Sequence, residues 1–125
     1  MNIVDTFNVD IYAGLRPSYH DTIEVDWSVK RKVVRDICQT FCDKQGLCVT
    51  LTNTEFVYTD GSEQGVIVGL INYPRFPKSK QFIMEQANKI TILLMRALDQ
   101  ERMSIVTTDK TIMLEKTDLC DHRGN

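Results

Sequence analysis

Two short runs of the chain place the groups of a ligand site side by side. In Asn72-Tyr73-Pro74-Arg75-Phe76-Pro77, two aromatic rings, a guanidinium and an amide sit on a segment stiffened by prolines. A ring stacks on a base, an Arg fork grips a phosphate, and an amide reads a ribose or base edge. Stiffness lowers the ordering cost of binding. Gly14-Leu15-Arg16-Pro17-Ser18-Tyr19 repeats the recipe with an Arg, a Ser and a Tyr around a proline. Arg102 is a further cation; with Asp99 and Glu101 beside it, a surface ion pair fits it as well as a ligand contact does. Packing offers the other residues plainer roles too. Tyr73 and Phe76 could cap a core with Arg75 in water, and the run from Gly14 to Tyr19 could be an ordinary loop.

Familiar catalytic signatures are missing. The chain has no GxSxG, HExxH or GxGxxG, and no Gly-Lys-Ser/Thr follows Gly61, Gly65 and Gly69, which excludes a phosphate-cradling loop. His20 and His122 fall in no pairing that would activate a nucleophile, and no carboxylate spacing marks an acid–base couple. Of Cys38, Cys42, Cys48 and Cys120, no two form a CxxC. Free thiols are therefore expected, with no zinc, no other metal and no cofactor. These absences predict a binder and not an enzyme.

The 125 residues, 42% hydrophobic and 26% charged, suit one soluble domain. A net charge of −2 speaks against a duplex nucleic acid partner. The basic cluster Lys30, Arg31, Lys32 and Arg35 reads as a solvated helix face. Neither Val66–Ile71 nor Ile90–Leu98 is long enough to span a bilayer, and Met1–Asp10 lacks a signal-peptide pattern. The expected location is cytoplasmic.

The elements that must position these groups follow from periodicity. Val9–Tyr12 alternates as a strand. Asp26 or Ser28 caps a helix with Val29, Val33, Ile37, Cys38 and Phe41 on its stripe, and Gly46 ends it. Leu47–Thr52 is a strand that Glu55–Tyr58 extends, and a hairpin loop at Thr59–Gly65 leads to Val66–Tyr73. That last strand is apolar on both faces, as in a strand covered on both sides. Ser79 caps a second helix to about Gln100, with Ile83, Ala87, Ile90, Leu94 and Ala97 inward. Ile92 and Met95 lie off that stripe as a second apolar surface. Arg102–Thr107 and Thr111–Glu115 are strands, and Thr117–Asn125 a frayed tail. The order β-α-β-β-α-β-β predicts an α+β, two-layer domain with two helices packed on an antiparallel or mixed sheet.

With these elements in place, several stretches resemble small phage proteins of the first Thoeris anti-defence family. They are Gly46-Leu47-Cys48-Val49-Thr50, Phe56-Val57-Tyr58, the run from Gly65 through Asn72-Tyr73-Pro74-Arg75-Phe76-Pro77, and Ser104-Ile105-Val106 with its closing hairpin. The resemblance spans about Val9 to Glu115. Members of that family bind the cyclic ADP-ribose isomers made by bacterial TIR-domain enzymes without cleaving them. The resemblance implies a cytoplasmic sponge for a small-molecule cyclic nucleotide signal in an infected bacterium, and a homo-oligomer. It also leaves room for a second site for CBASS cyclic oligonucleotides. The resemblance makes Asn72, Arg75 and Phe76 the ligand contacts, with Arg16 and Arg102 for its phosphates, and Tyr73 joins them from the chemistry of its own segment. Two competing functions stay open. One is a phage inhibitor that docks on a host or defence protein through the Tyr-Pro-Arg-Phe turn. The other is a small nucleotide-processing enzyme whose residues meet only in the fold.

Overall fold

Residues 1–17 and 25–121 are described by a computed structural model, the side chains of 120 and 121 excepted. His20, His122, Ser18 and Tyr19 lie outside the described residues. The first strand, β1 (Asn8–Gly14), alternates strictly. Val9, Ile11 and Ala13 are 0% exposed, while Asp10, Tyr12 and Gly14 point to the opposite face. The first helix, α1 (Trp27–Gln45), starts where the Asp26 carboxylate accepts from the N–H groups of Ser28 and Val29. It stops at Gly46, whose φ of 66° is costly for a residue with a Cβ.

The strands β2 (Thr50–Tyr58) and β3 (Gly61–Ile71) form a hairpin, and Ser79 caps α2 (Lys80–Leu98) by accepting from the Phe82 N–H. Then come β4 (Arg102–Thr107), β5 (Thr111–Glu115) and the short α3 (Lys116–Asp121). The sheet is antiparallel throughout, in the order β2-β3-β1-β4-β5. Both helical connections therefore skip a strand: α1 carries the chain from β1 past β3 to β2, and α2 from β3 past β1 to β4. This is the interlocked split β-α-β arrangement of ferredoxin-like domains, with β5 added at one edge.

Both long helices cover the face that carries Val9, Ile11, Ala13, Val66, Val68, Leu70, Met103 and Ile105. On α2 the buried face is Ile83, Gln86, Ala87, Ile90, Thr91, Leu94, Met95 and Leu98. On α1 it is Val34, Cys38 and Phe41. The predicted two-layer α+β architecture and element order are thus present, with a wholly antiparallel sheet.

Several details differ from the sequence reading. Met95 is buried and Ile92 packs on the core, so together they make no second apolar surface on α2. Val29 is exposed, because α1 turns Val34 inward instead. The strand β2 starts late, since the left-handed turn at Gly46 points Leu47 and Val49 at the core before pairing begins. The loop expected at Thr59–Gly65 is a tight turn at Thr59–Asp60, with Asp60 at φ 61°. The tail carries a helix because Leu119 is buried and the Asp118 carboxylate accepts from the Glu115 N–H at 2.8 Å.

The largest difference concerns β3, which is central but covered by helices on one side only. Its other face presents Glu63, Gly65, Ile67, Gly69 and Ile71, opposite the core-facing Val66, Val68 and Leu70.

Ile90→Ala removes a fully buried side chain at the helix–sheet interface. It should cost about 2–5 kcal/mol in urea denaturation. Val57→Ala, at an exposed edge position, should stay within about 0.5 kcal/mol.

Candidate functional site

The six predicted ligand residues do not converge. Asn72, Tyr73, Arg75 and Phe76 leave β3 beside the Asn8 end of β1, whereas Arg16 follows the Gly14 end. Arg102 also lies toward the Gly14 end, two residues along β4 from Ser104, which pairs with Tyr12. Seven strand residues separate the two groups, about 20 Å. Neither Arg16 nor Arg102 is a free cation. Arg16 places its guanidinium over the Trp27 ring at 5.2 Å, and Arg102 sits 3.5 Å from Glu115 in an exposed ion pair.

The Gly14 end holds a site that the sequence did not reveal, on the sheet face without helices. Gly14 and Gly65 are register partners. A Cβ on Gly65 would strike the Phe56 ring and come 2.8 Å from the Ala13 carbonyl oxygen. A Cβ on Gly14 would meet a Glu63 carboxylate oxygen at 2.6 Å and the Gln100 side-chain oxygen at 3.0 Å. Two small residues side by side thus let a ring and a carboxylate lie close on the strands.

Phe56 leans toward Tyr12, with ring centroids 6.4 Å apart and planes at 54°. Glu63, the register partner of Phe56, is half-buried and accepts from the Arg16 N–H at 3.0 Å. Among the described residues no ion pair neutralises it. Gln100, 9% exposed, is clamped by donating to the Arg16 carbonyl at 2.7 Å, which leaves its oxygen toward Gly14. On the opposite, helix-covered face, Arg31 of α1 donates to the Gln64 side-chain oxygen at 2.9 Å. The result is a fixed carboxylate next to two aromatic rings, the complement of a small organic cation.

The other end holds a cleft of about 230 Å³ between the α1–β2 corner and the segment after β3. Leu47, Leu70, Tyr73, Phe76 and Ile83 wall it, with Cys48 and Lys78 among its polar groups. Asn72 is the clasp of this segment and not a free amide. Its side-chain oxygen accepts from the Lys78 N–H at 2.9 Å, and its NH₂ donates to the Asp5 carbonyl at 3.1 Å. Tyr73 shares a hydrogen bond with the Cys48 thiol, and that bond, then burial, pushes its hydroxyl pKa up. Arg75 lies 5.4 Å over the Phe76 ring. Nearby, burial and then the neighbouring Cys42 push the Cys38 thiol up to about 11. Among the described residues no cluster of His, Cys, Asp or Glu could hold a metal ion. No helix among the described residues is long and apolar enough to cross a membrane.

No protein-family model matches the sequence, and no curated protein does. Solved structures do match in fold. One is a phage SAM lyase in the apo state, with a TM-score of 0.66 and 18% identity over 87% of this chain and 88% of that one. Another is a phage SAM lyase in complex with S-methyl-5'-thioadenosine, with a TM-score of 0.66 and 17% identity over 88% of this chain and 89% of that one. The expectation that the chain is no enzyme is therefore corrected, because the solved chains that share its fold bear the name of an enzyme. Motif absence sees only side chains that act as nucleophile, acid or base.

Gly65→Ala should destabilise the chain by about 1–3 kcal/mol through overpacking against Phe56 and the β1 backbone, read by urea denaturation. In native protein, Ellman's reagent should label the exposed Cys48 first and leave Cys38 protected until unfolding, because the buried thiol stays protonated at neutral pH.

Proposed function

We propose that this chain is an enzyme acting on an adenosylated sulfonium of the S-adenosylmethionine type, with the sulfonium held at Glu63. One observation carries the assignment: a half-buried carboxylate without an ion-pair partner among the described residues, set beside the Tyr12–Phe56 ring pair above two glycines. A sulfonium has no hydrogen to donate. Its complement is negative charge and the faces of rings, not a fork of acceptors. The shared fold with lyases of that substrate supports the same assignment.

The chemistry suits a site with few functional groups. Breaking the bond between sulfur and Cγ sends the electron pair to sulfur and frees S-methyl-5'-thioadenosine. Sulfur leaves as a neutral thioether and needs no general acid. A lyase adds no water, so the carbon chain must form a bond within itself. Attack of the substrate's own carboxylate oxygen on Cγ closes a lactone with no proton left over. The protein then has to hold the extended substrate in the attacking conformation, the largest contribution that positioning alone can make. Glu63 and the rings would anchor the sulfur end while the chain folds back on it.

A second assignment follows from the Thoeris resemblance, in which the ligand is a cyclic ADP-ribose isomer. Such a ligand shares the adenosine but is anionic. Its charge complement is not Glu63 but the cleft end, where Arg75 and Lys78 stand. Removal or capture of a small host molecule is compatible with an anti-defence role in either case.

The test is incubation of the protein with S-adenosylmethionine, with products separated and weighed by mass spectrometry. S-methyl-5'-thioadenosine should accumulate together with a partner lighter than the hydrolysis product by one water. Glu63→Gln keeps the acceptor for the Arg16 N–H but removes the charge, and should lower kcat/KM at least tenfold, about 1.4 kcal/mol. Substrate recovered intact from the wild-type protein would overturn the assignment.

A further inference from the structure

The cleft at the Asn8 end is not used by the chemistry assigned to Glu63. We propose that it is a second, separate ligand site that takes a purine mononucleotide, its ring in the slot and its phosphate at the mouth. Leu47, Leu70 and Ile83 form an apolar floor, and Tyr73 and Phe76 supply ring faces. Phe76 is 58% exposed, an uncovered aromatic at the rim of a concave apolar surface. Two cations flank it. Arg75 lies against the Phe76 ring, and Lys78, part of the lining, lies 5.5 Å from the Phe82 ring.

Among the described residues neither Arg75 nor Lys78 forms an ion pair, in contrast to Lys32, Lys80, Arg102 and Lys116. Cations held on ring faces and without an ion-pair partner, at the edge of an aromatic slot, complement an anion attached to a flat ring. The segment is already fixed. Asn72 clamps it at both ends, and the Phe76 N–H donates to the Tyr73 carbonyl at 2.9 Å, so little order is lost on binding.

Size sets the class. A volume of about 230 Å³ lies below the range of roughly 300–1,000 Å³ typical of drug-sized ligands. It holds one ring system, with the sugar toward the mouth. Beside it, a hollow of about 570 Å³ is lined by Lys78, Ser79 and Lys80 but also by Asp5 and by Asp109, 3.6 Å from Lys80, so the space for phosphate is at its Lys78 edge, outside the slot.

The probes are AMP and adenosine, measured by equilibrium dialysis against the full chain, with thermal melting as the folding control. AMP should bind saturably and more tightly than adenosine. Lys78→Gln should reduce AMP to the level of adenosine, about tenfold, without changing adenosine. Phe76→Ala should weaken both, and Glu63→Gln should change neither. Three results would overturn the proposal: no saturable AMP binding to the wild-type chain, unchanged AMP binding in both cleft variants, or loss of AMP binding in folded Glu63→Gln. Because no step of this test involves S-adenosylmethionine, absence of turnover at Glu63 leaves it intact.

Discussion

Pairing of β1 between β3 and β4 is the constraint on which the rest of the molecule depends. In that register Val9, Ile11 and Ala13 face Leu70, Val68 and Val66 in the core, where all six are buried. The same register puts Tyr12 and Gly14 on the other face, beside Ile67 and Gly65. A slip of one residue would exchange the two sets and expose the core while burying Asp10 and Tyr12. The hydrophobic face therefore fixes the site face. The carboxylate of Glu63 and the ring of Phe56 are where they are because the apolar residues of β1 and β3 have no other place to go.

Glycine completes this arrangement. Where Gly14 and Gly65 face each other, the sheet loses two side chains at one level, and Glu63 and Phe56 lean into the space. Core packing alone does not require this, since both glycines point away from the helices. Close approach of a carboxylate to aromatic rings, half out of water, holds negative charge next to surfaces that favour cations. For the sulfonium chemistry we propose, with a leaving group already charged and a nucleophile already in the substrate, position and field are what the protein would contribute.

Much of the fold was legible in the sequence. The caps at Asp26, Gly46 and Ser79, both long helices and the final hairpin follow from local chemistry that the tertiary structure leaves intact. The covering of β3 was not legible, because glycine and isoleucine read alike as non-polar whether they face a helix or an open surface. Met95 misled for a related reason: the buried face of α2 is wider than, and at its end turned from, the stripe drawn through Ile83, Ala87, Ile90, Leu94 and Ala97, so that Met95 is buried and Ala97 is exposed. Of the six predicted ligand residues, Asn72, Tyr73, Arg75 and Phe76 stay together on the segment after β3, where Tyr73 and Phe76 wall the cleft. Arg16 and Arg102 were joined to them by residue type alone, and the sheet holds them at its other end. Glu63 passed unnoticed because its neighbours Tyr12, Phe56 and Gly14 come from two other strands; the alternation of β1 with β2 and β3 was the available signal, but it carries no register.

The placement of the adenosyl ligand is tested most directly by amide chemical shifts of the ¹⁵N-labelled chain during titration with S-methyl-5'-thioadenosine. Binding at the sheet face should shift Tyr12, Gly14, Phe56, Glu63 and Gly65 first. Shifts confined to Cys48, Tyr73, Phe76 and Lys78 would contradict it and move the adenosyl site to the cleft.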